Sequence, residues 1–156
     1  MKRKFDKIII HLRKCNLYFL VIIFVAFDHI TGALYSLFFT ANNPVDKMGF
    51  SIYDKIFLAA VFAPVIETLL FQTLIINIIF KFTKNKILSI IISAVVFALA
   101  HNYSTAYVAK AFVAGIQYGL LYIVCKKHCA TFHVLAAHSL YNFSGIVMYE
   151  IIPHLA

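Results

Sequence analysis

The sequence predicts an all-α fold, a polytopic bundle of about five transmembrane helices, and three observations carry that expectation. Apolar residues make up 63% of the 156 positions and charged residues only 13%, against ~45–50% and ~25% in ordinary soluble domains. The apolar residues fall into runs long enough to cross a hydrocarbon layer of ~30 Å, which takes ~20 residues of helix. The basic residues gather between those runs rather than on one surface. A mean hydropathy of +0.89 and 16 Phe beside 9 Tyr point the same way.

Residues 1–16, "MKRKFDKIIIHLRKCN", surround an Ile-rich run with basic groups, the pattern of a short amphipathic helix on an anionic leaflet. The next run is too long for the core of a signal peptide, carries Asp28 and His29, and lacks an A-x-A cleavage site. It is therefore read as a retained first span, Leu17–Phe39, followed by an outer loop to residue 55. Further spans are expected at Ile56–Phe80, Ile87–Tyr107, Val108–Cys125 and Thr131–Pro153. They nearly fill the chain, so no separate soluble domain is expected.

The fourteen Lys and Arg give a net charge of +8. Six precede residue 15, three lie in "KFTKNK" and two in "KKH", so eleven fall on the side of the N-terminus and three (Lys47, Lys55, Lys110) on the other. That asymmetry predicts a cytoplasmic N-terminus in a cell membrane of bacterial type. No interleaved aromatic motif or basic face suggests nucleic acid as a partner. Cys15, Cys125 and Cys129 lack CxxC spacing and read as ordinary small residues. "CKKHC" would offer Cys125, His128 and Cys129 to a soft metal, but reads first as an interfacial loop.

Ionisable groups inside a bilayer cost ~2.5–3.5 kcal/mol each on insertion scales and ask for a partner or a role. Glu67, His101, His138 and Asn142 stand out. Counted from the basic loops at a rise of ~1.5 Å per residue, they lie about 20, 21, 15 and 21 Å deep, within roughly one helical turn of a common layer. His138 and Asn142 share a helix face at a spacing of four, and Phe97 sits beside His101 by the same spacing. A carboxylate beside an imidazole can act as general base on a water, while two more polar groups can stabilise an oxyanion or complete a metal shell. Singly, intramembrane His and Asn often only bond neighbouring helices, and a buried carboxylate can be protonated and bonded. Asp28 and His29 read as a helix contact or pore-facing residues, and His133, turned ~140° from His138, as an interfacial residue.

The strings "PVIETLLFQ", "FALAH" and "HSLYN", in this order on apolar helices, resemble the CPBP family, which includes CAAX prenyl-protein endopeptidases and bacteriocin-processing or self-immunity proteins. The resemblance covers roughly residues 56–150 and makes 56–156 a CPBP-like core formed by four of the spans. It implies an intramembrane endopeptidase acting on a peptide or membrane-protein substrate. Glu67 and His101 would activate a water, with His138 and Asn142 supporting the oxyanion. No cofactor is required by such a mechanism. A divalent metal such as zinc, if bound, would fall to Glu67, His101 and His138.

The family's E-E-x-x-x-R motif is incomplete, because Thr68 and Gln72 replace the second Glu and the Arg. Losing both charges together avoids stranding one, and the two substitutes are expected to exchange a neutral hydrogen bond across one turn. The departure motivates a second expectation. In it, a non-catalytic relative binds a peptide or partner for immunity or assembly. A proton or metal transporter is a third, since intramembrane Glu and His also build relays.

Overall fold

The computed structural model describes residues 2–39 and 49–152, and among them every regular element is helical. Helix α1 is Lys2–Leu12 and α2 is Leu17–Phe38. Helix α3 runs continuously over Ile52–Thr83. Helices α4 and α5 are Lys86–Ala100 and Thr105–Cys125, and α6 is Ala130–Ile146, continued by a wider turn at Val147–Ile151. Helices α2, α3 and α5 are each long and apolar enough to cross a membrane. The chain is an integral membrane protein with an all-α bundle. Most of the expected outer loop, and Pro153 at the end of the fifth expected span, lie outside the described residues.

Local chemistry sets the helix starts. Asn16 Oδ1 accepts from the N–H groups of Tyr18 and Phe19 to open α2, and Ser51 and Asp54 form a reciprocal capping box at α3. Asn85 caps α4 and Ser104 caps α5 by the same logic. Lys84 ends α3 in the left-handed conformation, with φ of 52°.

Helix α1 is tied to the bundle as well as amphipathic. Ile9 is buried, Lys86 pairs with Asp6, and Arg13 donates to the carbonyls of Ile123 and Val124 at 2.9 and 3.0 Å. The last carbonyls of a helix have no partner within it, so Arg13 closes the end of α5. Helix α5 is the central element, buried at Gly115, Gly119 and along Leu121–Cys125. A Cβ at Gly115 would lie 2.8 Å from Ala94 Cα, so α4 and α5 approach as closely as a hydrogen at that position allows.

The join between α4 and α5 differs from expectation. Helix α4 ends at Ala100, not at Tyr107, because His101 leaves the helical region at φ −99°, ψ 41° and Ser104 caps the next helix. Its 15 residues rise about 22 Å, short of a ~30 Å hydrocarbon layer. Irregular backbone at that depth survives only when covered by protein or facing a wet cavity. Lys110, expected in an outer loop, lies within α5, its Nζ 5.7–5.8 Å from the rings of Tyr35, Tyr107 and Tyr141.

Candidate active site

Glu67 owes its position to a proline. Pro64 has no N–H and its ring crowds the preceding turn, so α3 cannot run as a regular α-helix past it. The chain answers with wide, π-type turns over Ile56–Phe62 and Thr68–Ile75, on either side of the short α stretch Ala63–Glu67. Such turns are rare and recur at functional sites. Ala63 donates five residues back, to Leu58. Continued in that register, Ala59 would look to residue 64 for its donor, and Pro64 has none. Asn142 Nδ2 donates to the Ala59 carbonyl instead, at 2.7 Å. One side chain of α6 thus completes the backbone of α3 at the break.

His101 ends α4. Its ring lies 4.4 Å from that of Phe97 four residues earlier, as the spacing predicts, and Tyr107 stacks at 6.2 Å. His101 Nδ1 is 2.7 Å from the Phe97 carbonyl. A carbonyl only accepts, so Nδ1 carries the hydrogen, and in the neutral ring Nε2 is left as the basic nitrogen. That nitrogen lies 3.6 Å from Glu67 Oε2.

His138 approaches the same oxygen from α6, its Nε2 also at 3.6 Å. Its ring stacks on Tyr118 at 4.7 Å and meets the edge of Phe97 at 6.1 Å, while Nδ1 is buried without a hydrogen-bond partner. Both separations exceed a direct N–H···O bond of ~2.7–3.2 Å. The side chains of Glu67, His101 and His138 are 21%, 16% and 6% exposed. Three helices therefore bring one acid and two imidazoles together, with the acid the most accessible. Asn142 is one turn from His138 on α6 and is engaged with Ala59.

The metal question turns on the donor set. Among the described residues "CKKHC" forms no metal-holding group, whereas Glu67 Oε2 with the Nε2 atoms of His101 and His138, each 3.6 Å away, is the set that a divalent ion would have to use. Metal-bound histidines almost always donate their second ring N–H to an acceptor, and His138 Nδ1 has none. His101 meets that requirement through the Phe97 carbonyl, and His138 does not.

The expected Thr68–Gln72 hydrogen bond does not form. Both residues are completely buried, yet Thr68 Oγ1 and both polar atoms of Gln72 have no partner. The four-residue pairing presumes α geometry, and Thr68–Ile75 is π-helical. His133 stands away from the site, 5.9 Å ring to ring from Tyr18, with Nδ1 on the Cys129 carbonyl. His29 bonds Ser144, whereas Asp28 is buried with its Oδ2 lacking a hydrogen-bond partner. Tyr118 was not among the residues singled out from sequence, because a phenol in an apolar run reads as packing.

A family model described as "Type II CAAX prenyl endopeptidase Rce1-like" matches residues 50–144. No curated protein and no solved structure matches the chain.

Proposed function

Because the chain belongs to the type II CAAX prenyl endopeptidase Rce1-like family, with Glu67, His101, His138 and Asn142 all inside the matched residues, we propose that it is an intramembrane endopeptidase using a Glu/His-activated water. The observation that carries this reading is the shared oxygen, Glu67 Oε2, 3.6 Å from both His101 Nε2 and His138 Nε2. A water seated against Glu67 and His101 Nε2 has two acceptors for its protons. It attacks the scissile carbonyl as Glu67 takes one proton, and Glu67 then returns that proton to the leaving amine. His138, with Nδ1 unbonded, carries its hydrogen on Nε2 in the tautomer that donates to the oxyanion. Asn142 has a second amide hydrogen beyond the one given to Ala59. No step requires a metal.

The substrate is a peptide or membrane protein, reached from the bilayer or from one aqueous face. The basic N-terminal segment fits a cytoplasmic N-terminus in a bacterial-type membrane. Purified protein in lipid nanodiscs, assayed on a prenylated CAAX-type reporter peptide, tests the reading. Glu67→Ala and His101→Ala should each abolish hydrolysis while the helical circular dichroism stays unchanged. Full activity in both variants rejects the mechanism.

One observation favours a second reading. The buried, unpartnered Thr68 and Gln72 stand where the family motif has an ion pair, so this chain has lost that bridge without a hydrogen-bonded substitute. A non-catalytic protein that binds a peptide or membrane partner would tolerate this loss. Binding or protection that persists in Glu67→Gln supports that reading against catalysis.

A further inference from the structure

Lys110 is the only lysine or arginine within α5. An ionisable side chain in a membrane span normally faces the bundle interior, where it meets a partner or a ligand. A lysine that only anchored the span would carry its amine out to the headgroups. Lys110 is half-buried instead, with Nζ 5.7, 5.7 and 5.8 Å from the rings of Tyr35, Tyr107 and Tyr141 on α2, α5 and α6. Ring faces at that range attract a cation, but they leave its three N–H donors open to a stronger acceptor. Among the described residues no carboxylate forms an ion pair with it. The Tyr107 ring that meets Lys110 also stacks on His101 at 6.2 Å with 22° between planes, and His101 Nε2 lies 3.6 Å from Glu67 Oε2. One phenol thus separates a cation lacking a counter-ion from the imidazole. The ammonium lies within about 12 Å of that ring, a span that three or four extended residues cover at ~3.3–3.6 Å each.

We propose that Lys110 is a specificity-determining residue of this site: its ammonium takes a carboxylate of the bound peptide, no more than three or four residues from the bond that Glu67 and His101 attack. Carboxylates are the anions an unmodified peptide carries, at its C-terminus and on Asp and Glu. Partial burial among rings makes such a pair stronger than it is in water. Tyr35 and Tyr141 bring α2 and α6 to the same cation, so three helices shape the place where the carboxylate docks. This role rests on the endopeptidase reading for its substrate, but peptide binding tests it apart from cleavage.

The probe is the prenylated reporter peptide in three forms: a free C-terminal acid, a C-terminal amide, and an amide whose last residue is Glu. Binding to the full-length protein in lipid nanodiscs is read by fluorescence anisotropy in the Glu67→Gln background, where the probe survives, and hydrolysis is read with Glu67 intact. At least one carboxylate-bearing form should bind about 10–100-fold more tightly than the plain amide, the usual worth of a hydrogen bond to a charged group. Tight binding by the acid alone assigns the C-terminal carboxylate to Lys110, and tight binding by the Glu-ending amide assigns a side-chain carboxylate; both support the proposal. Lys110→Met should erase the difference by weakening only the carboxylate-bearing forms, and Lys110→Arg should keep it. Three forms binding alike, or none binding, overturns the proposal, as does a preference that survives Lys110→Met or an equal weakening of all three by it. The comparison of peptides with Lys110 in place decides the matter even if Lys110→Met does not fold. Hydrolysis with equal kcat/KM for all three forms would end this role and leave the endopeptidase reading standing. Lys110-dependent binding without hydrolysis would end that reading and keep the role.

Discussion

Helices α4 and α5 pack as a regular, close, apolar pair, whereas α3 and α6 meet through broken backbone and polar side chains. In the first pair, glycines bring backbones together, with Gly115 facing Ala94 and Gly119 facing Ile90. In the second, Pro64 interrupts α3, Asn142 repairs the interruption, and Glu67 and His138 face each other beside it. The contrast teaches that regular packing supplies the frame and irregular packing the polar cluster. A helix with every backbone bond satisfied within itself has no carbonyl to offer a neighbour, and the π-type turns of α3 create one.

The largest effect expected from this contrast is on activity. Glu67→Gln in the irregular pair should lower peptide hydrolysis by about 10²–10⁴-fold, the usual contribution of a positioned general base. Its unfolding midpoint in detergent should match the wild type. A Gly115→Val change in the regular pair should act the other way round. The added carbons meet Ala94 backbone at 2.8 Å, so overpacking should destabilise the protein by about 1–3 kcal/mol. Equilibrium unfolding in mixed micelles checks it. If Gly115→Val were neutral, α4 and α5 would not be in the close contact described.

Asn142→Ala tests the seam between α3 and α6. Leaving the Ala59 carbonyl without its donor should cost about 0.5–2 kcal/mol, and hydrogen exchange should rise in residues 56–67 ahead of the rest of α3. The smallest effect belongs to Gln72→Leu. It removes two buried polar atoms that have no partner and should leave stability unchanged or raise it by about 1 kcal/mol. A clear loss would mean that Gln72 is bonded in the membrane, which would bring Thr68 and Gln72 back as a working replacement for the ion pair.

The clustering of Glu67, His101 and His138 was legible in the sequence, for a reason that applies to membrane spans generally. Glu67, His101 and His138 stand out because their neighbours are apolar, and equal depth follows from counting along helices of known rise. Phe97 beside His101 follows from helical spacing alone. The break in α3 was not legible. Pro64 announces a disturbance, but whether the helix kinks, stops or widens depends on which neighbour can take up the freed carbonyl, and Asn142 lies 83 residues on by separation along the chain. The end of α4 was misjudged because Tyr103 and Tyr107 extend the apolar run past the point where Ser104 starts a new helix.

The central claim is that Glu67 and His101 face a space that water enters, inside a protein whose outer surface meets lipid. Single cysteines tested against a membrane-impermeant thiol reagent probe this directly, in a background with Cys15, Cys125 and Cys129 replaced by alanine and the protein in nanodiscs. Glu67→Cys and His101→Cys should be modified, whereas Leu70→Cys and Leu99→Cys, on side chains 46% and 64% exposed to the surroundings of the bundle, should remain unmodified in lipid. Modification at Leu70 and Leu99 with none at Glu67 and His101 would contradict the account.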